Sequence, residues 1–203
     1  MRNLGSLALL VALLVATTSC AQDKSGHEPA AGLSEQRLIL SEGYSQLYTD
    51  AGHLDLARLV LYVKIESQEF NDVITEIGRF GGELEKDLKR IASEYPGVRI
   101  DLDPLPEMEK RKRLAVGWDR AFQFAPFSGR SRVEYERTML ISMFNALNHE
   151  SYLCQVMAAE EPDPGLKKFL LASEKRFREL SELALNLLNR EHFRNDTHPA
   201  AKP

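Results

Sequence analysis

Apolar residues recur every three or four positions along most of the chain, and no stretch alternates apolar with polar long enough to make a strand. The pattern predicts an all-α domain. A short helix is predicted over 34–48, with Ser34 as N-cap and Leu40, Tyr44 and Leu47 on one side. A long helix follows over 54–77, its stripe running Leu56, Leu59, Val63, Phe70, Ile74 and Ile77. Gly78, Gly81 and Gly82 then read as an interruption, after which 83–95 resumes with Leu84, Leu88 and Ile91 until Pro96-Gly97. Pro96, Pro104 and Pro106 make 96–106 an extended crossover. A further segment over 107–124 contains Trp118 and ends before Pro126, Ser128 and Gly129. The most apolar helix is predicted over 131–159. After Pro162-Asp163-Pro164 a last helix runs to His192, carrying Leu166, Leu170, Phe177, Leu180, Ala184 and Leu188. Four long helices with a proline-rich crossover between the helix pairs point to a four-helix bundle.

The first nineteen residues do not fit that pattern. Arg2 is followed by an apolar run from Leu4 to Ala16, too short for the roughly 20 residues of a membrane span and placed where a secretory signal sits. The run ends in Thr17-Thr18-Ser19-Cys20, small residues directly before a cysteine, and this resembles the lipobox of bacterial lipoproteins. Thr17 departs from the large aliphatic residue usual in that family. The resemblance implies that the Cys20 thiol receives a diacylglyceryl group, that 1–19 is removed, and that the new amino terminus is acylated. Two or more acyl chains anchor stably where one binds only marginally. The expected organisation is a signal peptide at 1–19, a polar flexible tether at 20–33, a helical bundle domain at 34–192 and a disordered tail at 193–203. Ala21, rather than the aspartate that marks inner-membrane retention in the resembled family, favours an outer-membrane lipoprotein facing the periplasm.

Composition narrows the class without naming an activity. The 203 residues are 43% hydrophobic and 28% charged with a net charge of −4, as in an ordinary globular domain, which together with export disfavours a nucleic-acid partner. With Cys20 lipidated, Cys154 is the one thiol left and reads as a small buried hydrophobe. Charge is uneven: Lys110-Arg111-Lys112-Arg113 with Arg120, Arg130 and Arg132 face only Asp119 in 110–132. Such a segment is either a solvated face or a contact for anionic head groups or an acidic partner. Asp101-Leu102-Asp103 does not continue as a calcium loop, and Gly78–Gly82 lacks the Lys-Ser/Thr of a phosphate loop.

One helix carries an anomaly. At about 100° per residue, Glu150 falls about 200° from Asn148, among Met139, Met143, Ala146, Leu153 and Met157 rather than with Asn145, Tyr152 and Gln155. A carboxylate there must be paired, protonated or metal-bound. Glu174 and Glu66 fall about 60° from Phe177 and Val63 on their own helices, so three carboxylates from three helices are candidates to point inward. Residues 147–188, an inward Glu with an aromatic two residues on, a short turn and a second helix with Glu, resemble the ferritin-like superfamily of rubrerythrins and ferritins. The resemblance implies a carboxylate-bridged metal site holding iron, manganese or zinc. Phe177 stands where the Glu-x-x-His spacing from Glu174 needs histidine, and Leu88 where the spacing from Glu85 does, so the site is degenerate in its histidines. Glu66, Glu150 and Glu174 are left either as metal ligands, with His149 or His53 nearby, or as carboxylates satisfied by Arg, Lys or Tyr within the bundle. No catalytic residue is indicated. The expectation is an envelope lipoprotein held to the lipid bilayer, whose bundle serves a structural role or docks an unknown envelope protein; the alternative is a metal-storage protein or oxidoreductase.

Overall fold

The structure, a computed structural model, describes residues 34–58, 67–103, 105–124 and 131–193, with only the backbone at 120–124. Its helices are α1 (Glu35–Leu56), α2 (Gln68–Glu94), α3 (Glu107–Phe124), α4 (Arg132–Glu160) and α5 (Pro164–His192). The regular structure of the described residues is all-α, as the pattern predicts, but the four-helix expectation is wrong: these residues form five helices. They fall into two units, one holding α1, α2, α4 and α5 with the 96–103 connection, the other holding α3. The signal and tether segments, Cys20, Glu66 and the tail beyond Phe193 lie outside the described residues.

Helix starts explain much of the difference. Ser34 accepts from the Arg37 N–H, Ser67 from Phe70, and Asp163 from Gly165 and Leu166; Ser131 and Glu134 form a reciprocal capping box. The Ser67 cap begins α2 inside the stretch read as one helix over 54–77, so Phe70, Ile74 and Ile77 belong to α2. Leu56, expected in the core, ends α1 and is exposed.

Neither do the glycines interrupt α2. A Cβ on Gly81 would lie 2.7 Å from the Ala51 carbonyl oxygen and 2.8 Å from the Asp55 nitrogen. Gly81 is therefore the point where the α1 and α2 backbones approach closely, and a missing side chain there permits contact rather than ending a helix.

Within this unit α1 packs on α2 and α4 on α5, and α1 also touches α4 while α2 touches α5. Tyr44, Leu47, Phe70, Ile74, Ile77, Leu88, Leu140, Leu147, Leu170 and Phe177 are fully buried between them. Phe80 meets Phe177 edge-on with ring centroids 5.0 Å apart, joining α2 to α5, and Phe70 joins α2 to Tyr135 of α4 at 5.9 Å.

The crossover is held by two buried serines of α1. Ser41 Oγ donates to the Gly97 carbonyl at 3.1 Å and accepts from the Arg99 N–H at 3.3 Å. Ser45 Oγ lies 3.2 Å from the Arg99 carbonyl and accepts from the Leu102 N–H at 3.1 Å. Side-chain hydroxyls thus supply the partners that an extended segment lacks when no neighbouring strand exists. Val98 and Leu102 turn inward between these bonds.

Candidate functional site

Among the described residues, carboxylates are buried in three places in this unit. At one end, Glu161 caps α4 with its side chain wholly out of solvent. Its two oxygens accept from Arg37 Nη1 at 3.0 Å, Arg37 Nη2 at 2.7 Å, Tyr44 Oη at 3.0 Å and the Asp163 N–H at 3.0 Å. The paired carboxylate holds the Arg37 guanidinium more basic than usual, and burial followed by the Glu161 charge pushes the Tyr44 phenol well above its ordinary range. This knot joins the start of α1 to the α4–α5 turn.

A depression of about 160 Å³ opens beside it, lined by Arg37, Tyr95, Pro96, Gly97, Val98, Asp163 and Leu166. Its charged members are engaged, Arg37 on Glu161 and Asp163 on the first N–H groups of α5. It presents no pairing of nucleophile and base.

Further along α4, Glu136 is buried and accepts the Ser67 N–H at 2.6 Å, while Arg132 Nε stands 3.7 Å and His192 Nε2 4.0 Å from its oxygens. The carboxylate thereby ties the start of α2 to α4, with the end of α5 beside it. The His192 side chain is buried, its Nδ1 has no hydrogen-bond partner among the described residues, and burial lowers its pKa below the ordinary histidine value of 6.5 against the opposing pull of Glu136.

The third place is the one the sequence singles out. Glu150 is buried, as expected, although the centre of its face is Leu140, Leu147 and Cys154, with Met143, Ala146 and Leu153 on the half-buried flanks. Cys154 is a free buried thiol whose pKa is raised first by burial and then by the charges of Glu150 and Glu174, so both carboxylates lie within electrostatic reach of it. An inert protonated thiol is the result. Glu174, four-fifths buried, accepts from Arg178 Nε at 2.6 Å. Arg178 also stacks over the Tyr152 ring at 5.6 Å.

Among the described residues no three His, Cys, Asp or Glu side chains are grouped to hold an ion, Phe177 offers no donor, and Glu174 is engaged by arginine. His149 is exposed, and His53 is largely exposed 3.5 Å from Asp50. Glu66 lies outside the described residues.

Sequence reasoning missed Glu136, Glu161 and Arg37. The signal for Glu136 was present: at about 100° per residue it lies only about 40° from Glu150 on the same helix. Glu161 has no such signal, since it precedes Pro162-Asp163-Pro164 in what reads as a surface turn. Comparison of the chain with protein-family models, with curated proteins and with solved structures finds no match in any of the three.

Proposed function

We propose that the chain is a lipid-anchored envelope protein, acylated at Cys20, whose helical bundle acts as a structural or interaction scaffold. The bundle's use of its polar groups supports the scaffold reading: Glu161 and Glu136 are spent on joining chain segments. The observation that carries the reading is the Glu161 knot, because a carboxylate with four donors on two oxygens is built to hold chain segments together. The anchor rests on the small residues Thr17, Thr18 and Ser19 leading to Cys20 after an apolar run. The outer membrane, facing the periplasm, is the proposed address, with an envelope protein as docking partner. No described helix is long and apolar enough to cross a membrane, so attachment would fall to the lipid or to the chain's surface.

The test is mass spectrometry of the full chain expressed in a bacterial host and extracted from membranes. An N-terminal peptide beginning at acylated Cys20, abolished by Cys20→Ser, is the expected result. Cleavage elsewhere, or the same membrane association and terminus in Cys20→Ser, would overturn the anchor.

A further inference from the structure

α3 differs from the other helices in that none of its described side chains is buried. From Glu107 to Asp119 none of its side chains is buried, and Met108 is 73%, Leu114 49% and Trp118 39% exposed. Amphipathic helices of globular proteins turn such residues inward, so exposed Leu and Trp one turn apart call for an explanation. Their arrangement is ordered. At about 100° per residue Leu114, Trp118 and Ala115 span an arc of only about 100°, which also takes in Glu107 and Arg111 of the preceding turns, with Lys112, Arg113, Val116 and Asp119 outside it. In the sequence Ala121 and Phe122 continue that spacing.

The cations sit at the start of the same helix. Lys110, Arg111, Lys112 and Arg113 make one full turn of positive charge directly before the apolar arc. Arg111 pairs with Glu107 at 2.9 Å, and Lys112 and Arg113 pair with Glu109 at 2.5 and 3.3 Å. These are exposed contacts within one helix, which contribute little and exchange readily for other anions. The balance stays positive: 105–130 hold six Lys and Arg against three Asp and Glu, leaving 20 of the chain's 26 basic and 27 of its 30 acidic residues elsewhere.

We infer that α3 is a membrane-surface helix that lies on anionic phospholipid, with Leu114 and Trp118 in the acyl boundary and Lys110–Arg113 on the head groups. A ring of cations followed by an arc holding Trp and Leu is the design of an interfacial helix, in which charge attracts and apolar burial holds. The stems of Lys110, beside the arc, and Arg111, within it, can lie along the apolar layer while their charges reach the head groups. An otherwise acidic chain is repelled by such a surface, so α3 would be the part of it that makes contact. The inference rests on the lipid-anchor reading, since an anchored chain stays within reach of head groups.

Trp118 is the only tryptophan of the chain, so its emission reports α3 alone. The full chain is reconstituted into phosphatidylcholine vesicles and into vesicles that also contain phosphatidylglycerol, each with and without brominated acyl chains. Flotation reports the anchor. With phosphatidylglycerol, Trp118 emission is expected to shift to the blue and brominated lipid to quench it by about half, both reversing near about 0.5 M salt. Leu114→Asp, and separately Gln at all of Lys110, Arg111, Lys112 and Arg113, should abolish quenching while flotation persists. Since α3 buries none of these residues, circular dichroism melting of the variants should match wild type. Flotation with Trp118 unshifted and unquenched in both lipids overturns the inference and leaves the anchor standing. Equal quenching in both lipids overturns the role of the cations. Flotation and quenching that both require phosphatidylglycerol support α3 and overturn the anchor; loss of both in every lipid overturns both.

Discussion

Alanine at two glycines of the same helix pair should move stability in opposite directions. A Cβ on Gly81 would stand 2.7 Å from the Ala51 carbonyl oxygen, 2.8 Å from the Asp55 nitrogen and 2.8 Å from Leu54 Cβ. Ordinary contact begins near 3.4 Å, so α1 and α2 must separate by about 0.7 Å where they meet most closely, and two of the three obstacles are backbone atoms that no rotamer can move. Forcing a methyl into a packed interface costs about 1–3 kcal/mol, here about 2–3 kcal/mol because backbone has to shift, and the higher helix propensity of alanine returns about 1 kcal/mol. Gly81→Ala should therefore lose about 1–2 kcal/mol. On Gly52 of α1 an added methyl would meet nothing within 4 Å, so Gly52→Ala should keep the propensity gain of about 0.5–1 kcal/mol. In a chain of this size the two changes correspond to a melting temperature about 3–6 °C lower and about 2–3 °C higher. Thermal unfolding followed by far-ultraviolet circular dichroism measures both. A Gly81→Ala protein as stable as wild type, or more so, would refute the close-approach explanation of the glycine run.

Other expectations follow from the buried polar groups. Arg37→Met leaves Glu161 buried with two of its four donors gone; because Arg37 reaches solvent, the loss should be about 2–3 kcal/mol rather than the full cost of an isolated buried charge. Urea titration of Arg37→Met, Glu161→Met and the double variant should show the double variant losing less than the sum of the singles, and additivity would count against the pair. His192 has a folded pKa below its unfolded value of 6.5, so its contribution is fully present above that value and is lost as pH falls through the lower folded pKa. Melting temperature should thus drop on acidification from about pH 7 to about pH 5, and a His192→Gln protein should show a shallower drop over the same interval. Full-length protein purified without chelator should carry iron, manganese and zinc at background, and about one equivalent removed by Glu150→Ala would restore the carboxylate-site reading.

The periodic stripes of α2 and α5 could be read directly, because Leu84, Leu88, Ile91, Leu166, Leu170, Phe177 and Leu180 recur at the spacing that one buried helix face imposes. Glu150 was legible for the same reason, as a charge at the wrong angle in a regular pattern. So was the crossover, through its prolines. The sequence by itself therefore determined helical class, most core positions and the presence of a buried carboxylate.

Three features belong to the tertiary structure alone. Gly78, Gly81 and Gly82 read locally as a break, and only a second helix lying against them turns their missing side chains into contact surface. Ser67 as a helix start was hidden because the apolar spacing runs on across it, and only the capped N-terminus shows where the hydrogen bonds begin. The Glu161 knot joins residues 124 and 117 positions apart in sequence, at Arg37 and Tyr44. Periodicity reports the angle of a side chain about its own helix axis, whereas pairing depends on the distance between helices. That distance is set by packing, which no single stretch of sequence contains.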